Sequence, residues 1–230
     1  MREDFAITKN VQRFIQGVEV VNTPIKGRIG NGLFYGPPGT GKTDVGQWYS
    51  AENDVPYIRS RKVSSQRSLL AIIVNELGLA PAFRSDDLFQ QIVEELIERP
   101  TPIIIDEVDY LLKSGTVEVL RDINDMTNTP IIMMGMEHVH KKLRLYRHLY
   151  DRFTSVVRFE LFDKQEIANL AAQTCSAKLS DCAVEFIERL GQGKLRLTMT
   201  WFTRAEQLSK RNGLDQITAA HLQTCEDGKR

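Results

Sequence analysis

The residues Gly36-Pro37-Pro38-Gly39-Thr40-Gly41-Lys42-Thr43 constrain this chain more than any other stretch. Apolar Leu33-Phe34-Tyr35 precede them and helix-compatible Asp44-Val45-Gly46-Gln47-Trp48 follow, giving the order strand, glycine-rich turn, helix start. Glycines let backbone N–H groups turn inward around a polyphosphate, and the helix N-terminus behind them adds partial positive charge. A turn that merely caps a helix needs one glycine and no Gly-Lys-Thr order. The pattern therefore predicts a nucleoside triphosphate held by Gly36 to Thr43, with Lys42 reaching the β- and γ-phosphates and the Thr43 hydroxyl ligating Mg²⁺.

The chain has 230 residues, enough for one large domain or one with a small appendage, and 42% hydrophobic content is ordinary for a buried core. Lys+Arg 30 balance Asp+Glu 30, so affinity for nucleic acid must come from a local patch. Cys175, Cys182 and Cys225 lack CxxC spacing and fall in apolar helical contexts, as expected of buried thiols in a reducing cytosol. Charges at Arg2, Glu3, Asp4, Lys9 and Arg13 interrupt any leader-like run, and no apolar stretch reaches membrane-spanning length. The expectation is a cytoplasmic protein with no membrane partner.

Helical spacing of Val11, Phe14, Ile15 and Val18 predicts a leading helix, and Lys26-Gly27-Arg28 a turn into the loop's strand. Val55 to Ile58 reads as a strand, and Leu69 to Leu77 as a helix apolar nearly all round. Ser85 is the expected N-cap of a helix over Asp86 to Arg99, with Leu88, Ile92 and Leu96 facing inward. Ile103-Ile104-Ile105-Asp106-Glu107 predicts a central strand covered on both faces. A helix over Val117 to Met126 and strands over Ile131 to Gly135 and Val156 to Leu161 complete an alternating pattern that predicts a parallel sheet flanked by helices. From there the pattern is helical only: Lys164 to Cys175, Ser180 to Leu190, Leu197 to Lys210, and Thr218 to Cys225 with Thr218 as N-cap. The expected domains are an α/β nucleotide-binding core over 1–162 and a small all-helical lid over 163–230.

Ligands of such sheets sit outside the carboxyl ends of the strands, where the loop and Asp106-Glu107 both fall. In that setting Asp106 holds the Mg²⁺ shell and Glu107 polarises the attacking water, while Asp109 reads as a structural or surface carboxylate. His138, His140 and His148 match no zinc spacing. Arg152, in Tyr150-Asp151-Arg152-Phe153 before the last sheet strand, is placed to reach a neighbouring subunit's γ-phosphate, a role worth roughly 10³–10⁵-fold in rate. Arg147 is the fallback. Arg196, opening the third lid helix after Gly193-Lys194-Leu195, is expected over the same nucleotide, and Met199, Trp201, Phe202 and Leu208 read as lid core.

After the Val55 strand come Arg59, Arg61, Lys62 and Arg67, with Ser60, Ser64 and Ser65 between them and no acid lying between Asp54 and Glu76. Cations and hydroxyls so interleaved suit phosphate oxygens and not base-edge reading, which predicts salt-sensitive, largely sequence-independent DNA contact. Arg84 is a lesser candidate in the next loop.

The Gly36 to Thr43 loop, the Ile-Ile-Ile-Asp-Glu-Val-Asp strand end, Asp151-Arg152-Phe153 and Gly193 to Arg196 together resemble an AAA+ ATPase over almost the whole chain. Val55 to Arg59 with its basic continuation, Val119 to Ile123 and Pro130 to Gly135 are similar to the transposition regulators MuB and TnsC. That resemblance implies an AAA+ P-loop core with a helical lid, ATP and Mg²⁺ as cofactors, head-to-tail polymerisation on duplex DNA, and presentation of that DNA to a transposase. Relatives often carry a polar sensor residue after the fourth strand; here Met136 follows Gly135, so no sensor role is assigned. A helicase loader or initiator of the same class, or a nucleotide-dependent protein-binding switch, would share the nucleotide residues; a small-molecule kinase fits the lid and Arg152 less well.

Overall fold

Phe14, Val18 and Val21 recur at helical spacing and are buried along α1 (Lys9–Asn22), where the Phe14 ring meets Phe34 with centroids 4.5 Å apart. The computed structural model describes residues 5–24, 29–62, 65–114 and 116–227; the turn expected at Lys26-Gly27-Arg28 and the Ser64 hydroxyl lie outside them. Two compact units emerge, one of Arg13–Gly36 with Lys42–Phe159, the other of Met1–Gln12, Pro37–Gly41 and Glu160–Arg230.

The first unit continues with β1 (Asn31–Gly36), α2 (Lys42–Asn53), β2 (Tyr57–Arg59), α3 (Gln66–Glu76), α4 (Ser85–Glu98) and β3 (Ile103–Asp106). It closes with α5 (Asp109–Ser114), α6 (Glu118–Thr127), β4 (Ile131–Met136), α7 (Glu137–Leu143), α8 (Arg147–Tyr150) and β5 (Phe153–Arg158). The strands form one five-stranded sheet in the order β2-β3-β4-β1-β5, with every pairing parallel. Ile103, Ile104 and Ile105 are fully buried, as a strand covered on both faces requires. The order puts β4 between the loop-bearing β1 and the acid-bearing β3, so the carboxyl ends of both flank Gly135 and Met136.

The second unit holds α9 (Lys164–Thr174), β6 (Lys178–Leu179), α10 (Asp181–Gly191), α11 (Leu195–Asn212), β7 (Gln216–Ile217) and α12 (Ala219–Asp227). Asp163 caps α9 through the Glu166 N–H and Ser180 caps α10 through the Ala183 N–H. Trp201 and Phe202 are buried in its core, with Met199 and Leu208 packed at the margin.

Several boundaries differ from the sequence reading. Ser85 is the first residue of α4 and not its cap; Arg84 occupies the cap position, extended and without a side-chain bond. β5 runs from Phe153 to Arg158 and not from Val156 to Leu161, because its register with β1 begins at Asn31↔Phe153. The short α5 and the parallel β6–β7 pair were not expected; strands of two residues carry no periodicity.

Candidate nucleotide-binding site

The turn after β1 needs its glycines for backbone conformation. Gly39 and Gly41 have φ of +82° and +84°, a region that side chains with Cβ enter at a cost. Thr40 Oγ1 donates to Pro37 O at 2.9 Å, and the Gly39 carbonyl accepts the Leu195 N–H from the start of α11 at 2.6 Å. A Cβ at Gly39 would stand 3.1 Å from Lys194 Cβ, so the loop and this segment approach as backbone to side chain.

Lys42 opens α2 and is buried, its Nζ 3.0 Å from Gly36 O. Burial lowers its pKa, and the nearby carboxylates of Asp106, Asp109 and Glu137 oppose that shift. One residue on, Thr43 Oγ1 donates to Asp106 Oδ2 at 2.7 Å. The Tyr57 hydroxyl donates to the same oxygen, also at 2.7 Å, while Asp106 Oδ1 accepts the Glu107 N–H at 2.8 Å. Burial and the bond to Asp106 push the Tyr57 pKa upward, keeping the phenol a donor. An oxygen-only set of hydroxyl and carboxylate is the chemistry Mg²⁺ takes. Tyr57 reads in the sequence only as a strand aromatic. Its seat depends on Gly46, where a Cβ would come within 3.1 Å of the tyrosine ring.

Glu107 follows the strand with φ of 55°, a left-handed conformation for a residue that carries Cβ. Such a backbone costs about 1 kcal/mol and is concentrated at functional sites. Its carboxylate accepts from Arg59 Nε at 3.0 Å and from an Arg59 terminal nitrogen at 2.5 Å. This pairing raises the Arg59 pKa. Asp109 is buried, accepting the Met136 N–H at 3.0 Å, with His138 Nε2 2.7 Å from its other oxygen. Gly135 makes room for it, since a Cβ there would lie 2.9 Å from Asp109 Oδ2.

Of the expected phosphate-contacting residues on and after β2, Arg59 is directed to Glu107, and Arg61 and Lys62 are exposed. Arg67 lies in the first turn of α3, its Nε donating to Phe83 O at 2.8 Å. Ser60 turns inward and is buried, its hydroxyl without a hydrogen-bond partner among the described residues. Arg152 forms a two-pronged pair with Asp125, at 2.8 and 2.7 Å, and also donates to His148 O. Arg147 is exposed at the start of α8, and Arg196 is exposed in the first turn of α11.

The AAA domain family model matches residues 26–143, more than half of the chain. A "Potential ATP-binding protein" of Staphylococcus aureus is 26% identical over 98% of this chain and 96% of its own length. The replication factor C large subunit of Thermofilum pendens is 24% identical over 76% of this chain, which spans 41% of that relative's length. Among solved structures, the Aeropyrum pernix ORC1 protein in complex with DNA superposes with a TM-score of 0.69 at 15% identity, over 97% of this chain and 66% of that one. At that identity the likeness concerns the fold alone. No helix of the described residues is long and apolar enough to cross a membrane. With the family model matched over more than half of its length, and the glycine loop set at the end of a strand in a five-stranded parallel sheet, the chain belongs to the AAA domain family of P-loop ATPases.

Proposed function

We propose that the protein is an ATPase that assembles on duplex DNA and presents it as target to a transposase, in the manner of the MuB and TnsC regulators it resembles. The observation that supports a link between DNA and hydrolysis is the Arg59–Glu107 pair: one arginine, at the head of the basic segment, holds the carboxylate that in this reading activates water. Phosphate oxygens of DNA compete with that carboxylate for the guanidinium. A contact at Arg59 therefore releases Glu107 for hydrolysis.

In this reading Gly36, Pro37, Pro38, Gly39, Thr40 and Gly41 wrap the phosphates of ATP, and Lys42 turns from Gly36 O to the β- and γ-phosphate oxygens. Thr43 and Asp106 would hold Mg²⁺, which supplies charge neutralisation at the phosphate oxygens when bound. Glu107 takes the proton of the attacking water on its carboxylate. Arg152 reaches a neighbouring copy's nucleotide and Arg196 adds a second guanidinium. The bond between Leu195 N–H and Gly39 O, one residue before Arg196, supports its placement by the phosphate loop. Arg61, Lys62 and Arg67 contact DNA phosphates; a protein of the same fold, the Aeropyrum pernix ORC1 protein, has been solved in complex with DNA.

The test uses Glu107→Gln protein with ATP, Mg²⁺ and duplex DNA under the electron microscope. Decorated duplex is expected, and Lys42→Ala is expected to give none; solitary Glu107→Gln particles would overturn the proposal. The initiator or helicase-loader alternative shares every nucleotide residue and is separated by affinity capture, which recovers a transposase in the first reading and a replicative helicase in the second.

A further inference from the structure

Phe83 is 87% exposed, more than any other large hydrophobic side chain among the described residues. Its loop, between α3 and α4, is nevertheless firmly held. Leu79 N–H donates to Val74 O at 3.0 Å, and the Gln91 amide clamps the next turn, donating to Ala80 O at 2.9 Å and accepting from Ala82 N–H at 3.0 Å. Leu79 and Ala82 pack against the core, while Phe83 is the one large hydrophobic side chain the loop turns outward. A mobile tip could hide an aromatic ring by local collapse; this backbone cannot.

The loop runs back along α3, bringing Phe83 to the first turn of that helix. There the Arg67 guanidinium lies 5.4 Å from the ring centroid, and its Nε holds the Phe83 carbonyl. The ring thus stands at the same end of the sheet as Arg61 and Lys62, with exposed Arg84 beside it; Asp86 and Asp87, in the first turn of α4, are the nearest acids in sequence. One face of the ring is polarised by a cation while most of its surface stays open to solvent. A flat, pre-ordered π-surface among cations matches a nucleobase whose backbone those cations neutralise.

We infer that Phe83 stacks on an unpaired base of DNA, so that the surface prefers duplex carrying an exposed base over a perfect duplex. This rests on the proposed DNA contact of Arg61, Lys62 and Arg67 and adds to it a base-directed element that the basic segment lacks. The ring neutralises no phosphate, so its removal changes affinity without changing the salt dependence.

The experiment measures binding of the full chain, with a non-hydrolysable ATP analogue and Mg²⁺, to a labelled perfect duplex and to the same duplex with a one-base bulge. Wild type is expected to favour the bulged duplex. Phe83→Ala is expected to lose about tenfold in affinity for it, with little change on the perfect duplex and an unaltered slope of log affinity against log salt. Phe83→Trp should retain the preference. Equal affinities of wild type and Phe83→Ala for the bulged duplex, or equal losses on both duplexes, overturn this inference while leaving the DNA reading intact. Failure of wild type to bind either duplex overturns the DNA reading, and this inference with it.

Discussion

Arg59 grips Glu107 with two nitrogens, at 3.0 and 2.5 Å, across the parallel register that sets Arg59 beside Asp106. The arginine side chain is 58% exposed and the glutamate 32%, so solvent weakens the pair and a modest competitor can break it. Arg59→Ala is therefore expected to raise ATP turnover without DNA by roughly two- to fivefold, the effect of losing one exposed ion pair. The same substitution should shrink the stimulation by DNA. Steady-state ATPase assays with and without duplex check both; slower basal turnover would make Arg59 a positioning residue for Glu107 and not a restraint on it.

Tyr57 shares an oxygen of Asp106 with Thr43. Tyr57→Phe leaves the ring in its seat against Gly46 and removes only the hydroxyl. The Mg²⁺ concentration that supports half-maximal ATPase activity should rise by about tenfold, as when a group orienting a metal ligand is lost. Unchanged Mg²⁺ dependence would mean that Thr43 and the Glu107 N–H alone fix the carboxylate.

Arg152 is held by Asp125 and the His148 carbonyl within its own chain, so acting in trans requires that grip to open. Arg152→Ala should cost ATPase activity on the order of 10³-fold, while Arg147→Ala stays near wild type. Mixing Arg152→Ala with Glu107→Gln protein should restore activity, because a site can then combine one copy's Glu107 with its neighbour's Arg152. Asp125→Ala should lower the ATP concentration needed for assembly, measured by light scattering. No recovery on mixing would place the arginine's role inside a single copy.

Cys175 is buried as the sequence suggests, but Cys182 is exposed and not buried, so the two should differ in reactivity. A backbone N–H at Ala219 and the Ser180 hydroxyl, 3.1 Å away, hold the exposed Cys182 thiol below the usual range, whereas burial pushes Cys175 above it. Thiolate therefore forms first at Cys182 as pH rises, and iodoacetamide at pH 8 should modify it well before Cys175. Peptide mass spectrometry over a time course reads the order directly.

The glycine turn after β1 and the strand Ile103 to Asp106 were legible in the sequence from the run of glycines and the β-branched stretch, and the alternation of strand and helix carried the fold. What was hidden depended on register. Nothing local in Val55 to Arg59 says that parallel pairing sets Tyr57 against Ile104 and Arg59 against Asp106, yet that pairing makes one a donor to the carboxylate and aims the other at Glu107. Ser60 failed as an outward hydroxyl for the same reason, since alternation along the strand's exit turns it inward between two exposed arginines. Asp109 was ambiguous until Gly135 was seen to leave room for it.

The left-handed backbone at Glu107 bears on tempo. A residue with Cβ at φ of 55° sits in a small steric well with no easy path along φ, so the main chain stays put whichever partner the carboxylate chooses. Trading Arg59 for a water molecule is then only a swing about side-chain bonds, complete within picoseconds to nanoseconds at a solvent-facing position. In the proposed ATPase cycle that swing is too quick to set the pace of turnover.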